Sequence, residues 1–341
     1  MQRIIQVGVG GYGSRWLSTV MATGEHAAYA ALVDVSEAAL AAARQETGIP
    51  ESRCFSSLAA ALDQVDADAV LCIVPPAHHE GVIVPALESG LHVLSEKPLA
   101  DTVDSMHRIV AAARRSQGRL MISQKGRYHP WVQRFRQAVT AAEIGRLNHV
   151  TLQFRNGYFE WGASRFRHRM ADPLLVEMSI HHFDLLRALL GRNAVDVMGR
   201  SWNWAWSDFA GDVAACLVFT MEDDVPLIYE GNCLCAGEQT SWYGEVRAEG
   251  ERGTITMRSP RLYITPRGST RPGAALPADL MAVTTPHDGQ AVALAEFLNS
   301  IEQDRPAETS VEDNQQSMAM LFAAVDACHT GTRRAIADYL A

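Results

Sequence analysis

A histidine and two acidic residues stand at helical spacing in the segment VEMSIHHFDLLRALLG. Glu177, His181 and Asp184 occupy positions i, i+4 and i+7, which predicts one helix face, with His182 pointing elsewhere. Because imidazole exchanges protons near neutral pH, this face could carry acid–base chemistry. A divalent-metal site and a structural, hydrogen-bonded histidine are the alternatives, but no further histidine or cysteine is spaced to complete a metal site, so no metal is predicted.

A glycine-rich turn near the amino terminus has the residue types that a nucleotide-binding turn requires. The segment QVGVGGYG follows a β-prone run and precedes a helix-like segment. In such a unit the first glycine permits a sharp turn, the second lets the backbone approach a pyrophosphate, and the third lets the helix pack against the strand. The helix N-terminus then offers N–H groups to the phosphates, although a purely structural turn is the alternative. The predicted cofactor contacts are Gly8, Gly10, Gly11, Tyr12 and Gly13.

An acidic residue at the end of the second predicted strand indicates which dinucleotide binds. Asp34 follows Gly13 at the expected distance of about 20 residues, where a carboxylate bonds the adenosine ribose hydroxyls. The same carboxylate would repel the extra phosphate of NADP, and no arginine or lysine lies between residues 35 and 43 to offset it. The sequence therefore predicts NAD, with NADP disfavoured.

The order of predicted elements changes near residue 122. Strand-like and helix-like segments alternate before it, which predicts an α/β fold with an N-terminal Rossmann doubly wound parallel sheet in domain 1–122. After it, strand-like segments dominate, at 147–159, 194–206, 212–221, 225–235, 243–250, 253–259 and 261–268. Helices are expected at 130–143, 173–191, 288–303 and 311–330. Domain 123–341 is therefore predicted to be α+β, with a large, mainly antiparallel open sheet.

Composition narrows the classes of function. The 341 residues suffice for two domains, and a formal net charge of −9 disfavours binding to nucleic acid or to anionic membranes. The chain has no apolar run long enough to span a bilayer, and its first strand starts almost at Met1, so we expect no signal peptide and a cytoplasmic protein. Six scattered cysteines do not suggest a disulfide framework.

The most specific motif is HVLSEKPLA at residues 92–100, at the end of a predicted parallel strand. Further segments accompany it and the glycine turn: IVPPAHH at 73–79, QKGRYHP at 124–130, EIGRL at 143–147, IHHFD at 180–184 and EGERGTITM at 249–257. Together they resemble the Gfo/Idh/MocA family over nearly the whole chain. Members of that family are NAD(P)-dependent oxidoreductases that act mostly on sugars, inositols and related polyols.

The resemblance implies roles for the residues of these motifs. Lys97 matches the catalytic lysine and Glu96 helps to fix its position; an ammonium can stabilise the alkoxide charge that develops on an alcohol. His181 matches the acid–base histidine. Glu177 stands where the family has an aspartate, and Ser179 where it has a glycine, so Glu177 could orient His181 but would narrow the pocket.

Other residues match family positions near the cofactor or in the substrate cleft. Pro75 and His78 are implied beside the cofactor, together with Glu96 and Lys97, although either histidine of IVPPAHH could be a surface residue. Gln124 and Arg127 match a stretch that lines the cleft, but Arg127 could instead form an ion pair that joins the domains. Asp184 could belong to a buried network with Arg187.

Two aromatic segments have open interpretations. The loop-like stretch 154–170 could determine substrate identity through stacking and hydrogen bonds, or could contact another subunit. Its candidate substrate contacts are Tyr158, Trp161 and Arg165. Trp202, Trp204 and Trp206 are predicted on one strand face, as a packed surface or an oligomer contact.

These observations predict an NAD-dependent dehydrogenase or reductase of CH–OH groups in a sugar, inositol or related polyol. Its catalytic residues would be Lys97, His181 and Glu177, with substrate contacts from Lys97, Gln124, Arg127, Tyr158, Trp161, Arg165 and His181. The alternatives are an enzyme that retains NAD and shows no net redox change, or a non-catalytic Rossmann sensor. A homodimer or homotetramer through the second-domain sheet is expected.

Overall fold

The computed structural model describes residues 1–157, 165–273, 275–276 and 289–341. The chain divides into two compact units, which are described here separately. The first contains residues 1–125, the segment 285–315 and Ala341, and the second contains residues 126–284 and 316–340.

A six-stranded parallel sheet forms the centre of the first unit, with the strand order β3-β2-β1-β4-β5-β6. Its strands are β1 Gln2–Val7, β2 Ala27–Val33, β3 Cys54–Phe55, β4 Ala69–Cys72, β5 His92–Ser95 and β6 Leu120–Ile122. They are short apolar runs with little alternation, as expected for strands covered on both faces. The predicted Rossmann sheet is confirmed.

The helices between these strands are α1 Ser14–Met21, α2 Glu37–Thr47, α3 Leu58–Leu62, α4 His79–Glu88 and α5 Val103–Arg115. Local capping fixes where several begin: the hydroxyls of Ser36, Ser57 and Thr102 each accept a backbone N–H three residues on. Helix α2 ends at Thr47, and its C-cap residue Gly48 adopts the left-handed conformation.

The register of the parallel sheet aligns the ends of its strands. Val7 pairs with Val33 and with Cys72, Cys72 pairs with Ser95, and Ser95 pairs with Ile122. The residues that follow these five positions therefore lie along one edge of the sheet. The strand order reverses between β1 and β4, the switch point at which ligands bind in folds of this type.

The second unit is built on an eight-stranded sheet with the order β13-β12-β11-β7-β10-β9-β8-β14. Its strands are β7 Leu147–Arg155, β8 Ala194–Trp202, β9 Ala214–Met221, β10 Val225–Asn232, β11 Glu245–Gly250, β12 Gly253–Arg258, β13 Arg261–Pro266 and β14 Arg334–Ala335. Only the pairing of β10 with β7 is parallel among these described strands. The helices are α6 Pro130–Thr140, α7 Arg165–His168 and α8 Ile180–Leu190. The mainly antiparallel sheet is confirmed; the two-residue β14 is too short to give a sequence pattern.

Two further helices follow, α9 Gly289–Glu302 and α10 Val311–Thr330, close to the ranges that the sequence predicts. Their placement differs from a single division at residue 122. Helix α9 contacts α1 and β5, and the Thr309 hydroxyl donates to the Ile122 carbonyl at 2.6 Å, so residues 289–315 pack with the first unit. None of the described helices combines the length and the apolar composition that crossing a bilayer requires.

The tryptophan-rich segment after β8 departs from the predicted strand. Strand β8 ends at Trp202, and the Trp204 and Trp206 rings stack at 5.5 Å instead of sharing a strand face. The Asn203 side chain accepts the Trp204 N–H and donates to the Phe209 carbonyl, which closes a turn in place of a strand ladder.

Candidate active site

The glycine turn of the first unit has the close approaches that exclude a side chain. Gly8 has a φ of +88°, and a Cβ there would lie 2.2 Å from the Ile73 carbonyl oxygen. A Cβ on Gly13 would lie 2.2 Å from the Gly8 carbonyl oxygen. At Gly11, by contrast, a Cβ would meet no described atom within 4 Å. The turn is therefore tight on its inner side and open on its outer side, next to the start of α1, and it fits the pyrophosphate of a dinucleotide.

Asp34 follows β2 and bonds directly to this turn. Its Oδ2 accepts the N–H groups of Val9 at 2.9 Å and Gly10 at 3.2 Å, and its Oδ1 accepts the N–H of Ser36 at 2.9 Å. The carboxylate is thus held at the edge of the sheet, between the glycine turn and the start of α2. Its bond to a ribose remains a prediction.

A buried glutamine stabilises the glycine turn through hydrogen bonds to its carbonyl groups. Gln6 is fully buried, and its Nε2 donates to the carbonyls of Gly8 at 3.0 Å and Gly13 at 2.8 Å. Its Oε1 accepts the hydroxyl of Tyr29 at 2.7 Å, and burial raises the Tyr29 pKa, so the phenol stays protonated. Sequence reasoning missed this pair; a polar residue between Ile5 and Val7 in the strand-like run RIIQV is the signal.

The Glu96–Lys97–Pro98 segment follows β5 at the same sheet edge. Glu96 is 6% exposed, and its Oε2 accepts the Lys97 backbone N–H at 3.2 Å. Lys97 is half-buried, and the Lys97–Pro98 peptide bond is cis. The half-buried lysine therefore stands on a backbone that the neighbouring buried carboxylate holds.

Of the two histidines in IVPPAHH, it is His79 that has structural contacts. His79 is fully buried, its Nε2 lies 2.9 Å from the Val74 carbonyl, and its Nδ1 lies 3.1 Å from the Leu99 carbonyl. It therefore ties the segment after β4 to the segment after β5, and burial lowers its pKa. Pro75 and His78, the two predicted cofactor neighbours, are exposed.

Gln124 follows β6 at this edge and is 2% exposed. Its Nε2 is buried and has no hydrogen-bond partner among the described residues. An unsatisfied buried amide is costly, so this donor suits a polar atom of a ligand or a water. Its assignment to substrate stays a prediction.

In the second unit, the helix that carries the predicted acid–base pair is not a regular α-helix. Residues 174–179 form a π-helical turn that continues into α8. Glu177 lies in this π turn, 3.3 Å from Arg167, and His181 lies in α8 with its ring 5.9 Å from that of Trp242. The predicted α-helical spacing is thus corrected at Glu177, since the π turn widens the helix there; such turns are frequent at functional sites.

Asp184 lies in a different environment from Glu177. The guanidinium of Arg127 donates from Nε at 2.8 Å and from Nη2 at 2.6 Å to its two oxygens, and both residues are almost fully buried. Ser317 donates to Asp184 at 3.0 Å and accepts from Arg187 at 2.9 Å. The buried network with Arg187 is confirmed. The ion pair of Arg127 with Asp184 lies inside the second unit, and the alternative of an ion pair that joins the domains stays a prediction.

Ser179 belongs to a buried chain of hydrogen bonds below the π turn. Its hydroxyl lies 2.7 Å from Tyr229 Oη, which lies 3.0 Å from His182 Nδ1, and His182 Nε2 lies 2.9 Å from the Trp242 carbonyl. That carbonyl requires Nε2 to carry the proton, so Nδ1 accepts from Tyr229. Burial lowers the His182 pKa to about 4. Sequence reasoning assigned His182 no role and missed Tyr229.

The neutral state of His182 predicts a pH dependence of stability. The unfolded chain binds a proton at this histidine below pH ~6.5, whereas the folded chain does so only near pH 4, so unfolding takes up a proton between these values. This group alone lowers the free energy of unfolding by about 2 kcal/mol between pH 7 and pH 5. Urea unfolding of His182→Gln should show a correspondingly shallower loss of stability over this range. Equal slopes in both proteins would contradict the assignment.

The remaining predicted contacts are only partly described. Tyr158 and Trp161 lie outside the described residues, and Arg165 is described as the first residue of α7. Within the described ranges, no three histidine, cysteine or acidic side chains group as a metal site requires.

Comparisons with known proteins agree with this architecture. Residues 2–124 match a family model described as an oxidoreductase family with an NAD-binding Rossmann fold, and residues 132–256 match the GFO/IDH/MocA C-terminal domain. An uncharacterised protein, y4oX of Sinorhizobium fredii, is 31% identical over 99% of this chain and 96% of its own length. A D-apiose dehydrogenase of Paraburkholderia graminis is 25% identical over 86% of this chain and 79% of its own.

The fold also matches solved structures. An oxidoreductase from Agrobacterium radiobacter, in complex with NAD+, L-tartaric acid and magnesium, superposes with a TM-score of 0.87 over 99% of both chains at 19% identity. At this identity the likeness concerns the fold. The two family matches and the full-length relative show that the chain belongs to the Gfo/Idh/MocA family of oxidoreductases with an NAD-binding Rossmann domain.

Proposed function

We propose that this oxidoreductase is an NAD-dependent dehydrogenase that moves a hydride between a nicotinamide and a CH–OH carbon of a sugar, inositol or related polyol. The observation that carries the proposal is the common sheet edge of the glycine turn and the Glu96–Lys97–Pro98 segment. The glycine turn follows β1 and the half-buried lysine follows β5, with β4 between them in the sheet. The turn suits the pyrophosphate of a dinucleotide, and the lysine suits an alcohol oxygen. The D-apiose dehydrogenase relative supports a sugar-like substrate.

The bound dinucleotide would supply the hydride acceptor, and the side chains of the chain would handle the oxygen and its proton. The ammonium of Lys97 holds the substrate oxygen and stabilises the negative charge that develops on it. The buried Glu96 carboxylate accepts the backbone N–H of Lys97, so the backbone from which the lysine side chain extends has a defined position.

Proton transfer is assigned to His181. Its imidazole accepts the hydroxyl proton in the direction of oxidation. Glu177 is assigned to orient or charge-balance this histidine, and the ion pair at 3.3 Å with Arg167 holds the longer carboxylate that replaces the family aspartate. The network of Ser179, Tyr229 and His182 supports the backbone on which both residues stand.

Calorimetric titration of the purified chain with NADH and, in parallel, with NADPH tests the proposal. We expect tight binding of NADH and weak binding of NADPH, followed by NADH formation when NAD is mixed with a panel of sugars and inositols. If neither nucleotide binds, the dehydrogenase assignment fails. Product formed without net NADH would instead identify an enzyme that retains its dinucleotide.

Cofactor preference is assigned to the Asp34 carboxylate, and Asp34→Asn tests it. The amide keeps an acceptor oxygen for the Val9 and Gly10 N–H groups but removes the charge that repels a ribose phosphate. The ratio of NADPH to NADH affinity should rise about tenfold, a difference of ~1.4 kcal/mol. The control is Asp66→Asn, at an acid with a 93% exposed side chain in the same unit. An unchanged ratio in the Asp34 variant would refute this role.

We also propose that the outer face of the eight-stranded sheet pairs with another copy of the chain. Met198, Val218 and Ile228 are directly opposite one another on β8, β9 and β10 and are 47%, 40% and 39% exposed. A row of exposed apolar side chains on a sheet favours burial in an oligomer. Light scattering during size exclusion measures the assembly, and a monomer at micromolar concentration would exclude it.

A further inference from the structure

The chain contains only two lysines, Lys97 and Lys125, against 28 arginines. Both follow neighbouring strands, β5 and β6, at the sheet edge that carries the glycine turn. Lysine differs from arginine in offering a compact point charge on a flexible stem. All the remaining members of the lysine and arginine set are arginines. We therefore infer that these two positions require the compact charge of a lysine, and Lys125 is the one that has no role in the proposed reaction.

The ammonium of Lys125 connects two parts of the candidate site within the first unit. Its Nζ donates to Tyr12 Oη at 2.5 Å and lies 3.4 Å from Glu96 Oε1. Tyr12 stands between Gly11 and Gly13 in the glycine turn, and Glu96 precedes Lys97. The two contacts therefore join the turn to the catalytic segment through one side chain.

The surroundings of Lys125 fit an ammonium closely. The Nζ lies 5.7 Å from the centre of the Trp16 ring, and a Cβ on Gly289 would lie 3.0 Å from Lys125 Cδ. Gly289 thus leaves the room that the lysine stem fills. Burial lowers the Lys125 pKa, but the Glu96 carboxylate and Tyr12 raise it by more, so the net pKa is above its ordinary value and the group is charged at neutral pH.

The contact between Lys125 and Glu96 matters for the charge that a bound dinucleotide meets. The Glu96 side chain is 8% exposed, and a dinucleotide brings a pyrophosphate with two negative charges to the adjoining turn. Without a cation, a buried carboxylate at this edge would repel that pyrophosphate in a medium of low dielectric. The Lys125 Nζ lies 3.4 Å from Glu96 Oε1, so this ammonium is placed to offset the Glu96 charge.

We propose that Lys125 is a positioning residue for the dinucleotide: it fastens Tyr12 of the glycine turn to Glu96 and balances the Glu96 charge, so that the turn accepts an anionic pyrophosphate. The proposal rests on the proposed function, since it concerns the same dinucleotide. It gives the second lysine of the chain a role that does not involve contact with the reacting carbon.

NADH titrations of four variants test the fastening and the charge balance separately. Lys125→Met and Tyr12→Phe should each raise the NADH dissociation constant about tenfold, and the double variant should bind no more weakly than the worse single one, because both remove the same contact. Lys125→Met combined with Glu96→Gln should bind more tightly than Lys125→Met alone, because no uncompensated carboxylate is left. The control is Arg108→Met, which removes an exposed ion pair with Glu80 and should bind as wild type does.

The outcomes separate this proposal from the proposed function. If wild type fails to bind NADH, the dehydrogenase assignment fails and this proposal with it. If wild type binds NADH and Lys125→Met binds it equally well, or if the Tyr12 and Lys125 effects multiply, only the role of Lys125 is overturned. A structural role alone would shift the thermal midpoint of Lys125→Met without producing the non-additive binding.

Amine acetylation of the wild-type protein gives a readout that needs no variant. With only two lysine side chains, mass spectrometry after brief treatment with acetic anhydride follows each one separately. Saturating NADH should slow the acetylation of Lys125, because pyrophosphate binding at the turn holds Tyr12 and the ammonium together. An unchanged rate at Lys125 in the presence of bound NADH would overturn the proposal.

Discussion

Lys97→Met should lower kcat about 10³-fold while changing the NADH dissociation constant by no more than a few-fold. The methionine keeps the length of the side chain but removes the charge that would stabilise an alkoxide in the transition state. Since the alkoxide charge develops only in the transition state, the loss of the ammonium affects turnover far more than the binding of the dinucleotide. Steady-state kinetics on the best polyol substrate, with NADH titrations in parallel, measure both quantities.

Two further variants make the Lys97 result specific. Arg108→Met removes a cation from the surface of the same unit and should leave kcat unchanged. Lys97→Arg retains a charge, but the wider guanidinium does not superpose on the ammonium and does not give up a proton, so activity should stay low. If kcat and NADH affinity fall equally in Lys97→Met, the lysine serves binding and its catalytic assignment is wrong.

Both sheets could be predicted because their signals are local. Short apolar runs separated by helix-like segments are typical of a parallel sheet, and β10 alternates buried and exposed residues as an antiparallel strand with one covered face does. The placement of α9 could not be predicted in this way. Its apolar face has the same pattern whichever sheet it covers, and the choice depends on contacts such as Thr309 with Ile122, far apart in the sequence.

The candidate site was predictable where a backbone requirement fixes the residue type. Gly8 and Gly13 are required by carbonyl oxygens that approach within 2.2 Å of a hypothetical Cβ, so the glycine pattern survives in the sequence. The buried residues that hold the site in place leave no such pattern in the sequence. Gln6 of β1 meets Tyr29 of the neighbouring strand β2, and His182 of α8 meets Tyr229 of β10, and both pairs are far apart in the sequence. The π turn at Glu177 has the same apolar spacing as an α-helical turn.

Arg127→Met should lower the free energy of unfolding of the second unit by about 3–5 kcal/mol. The Asp184 side chain is 2% exposed, and the substitution leaves its charge without the guanidinium that donates two hydrogen bonds to it. A buried carboxylate without its partner is far more costly than the loss of an exposed ion pair. Urea unfolding followed by tryptophan fluorescence reports mainly on this unit, because only Trp16 lies outside it.

The matched control is Arg192→Met, whose partner Asp223 has a 74% exposed side chain; it should cost less than ~1 kcal/mol. A similarly small cost for Arg127→Met would contradict a buried ion pair at Asp184.

Combining Arg127→Met with Asp184→Leu removes both charges and should recover much of the lost stability. The double variant then decides the substrate role predicted for Arg127. If its stability recovers and the KM for the polyol stays high, Arg127 contacts substrate; if KM recovers too, its role is to hold the helix that carries His181.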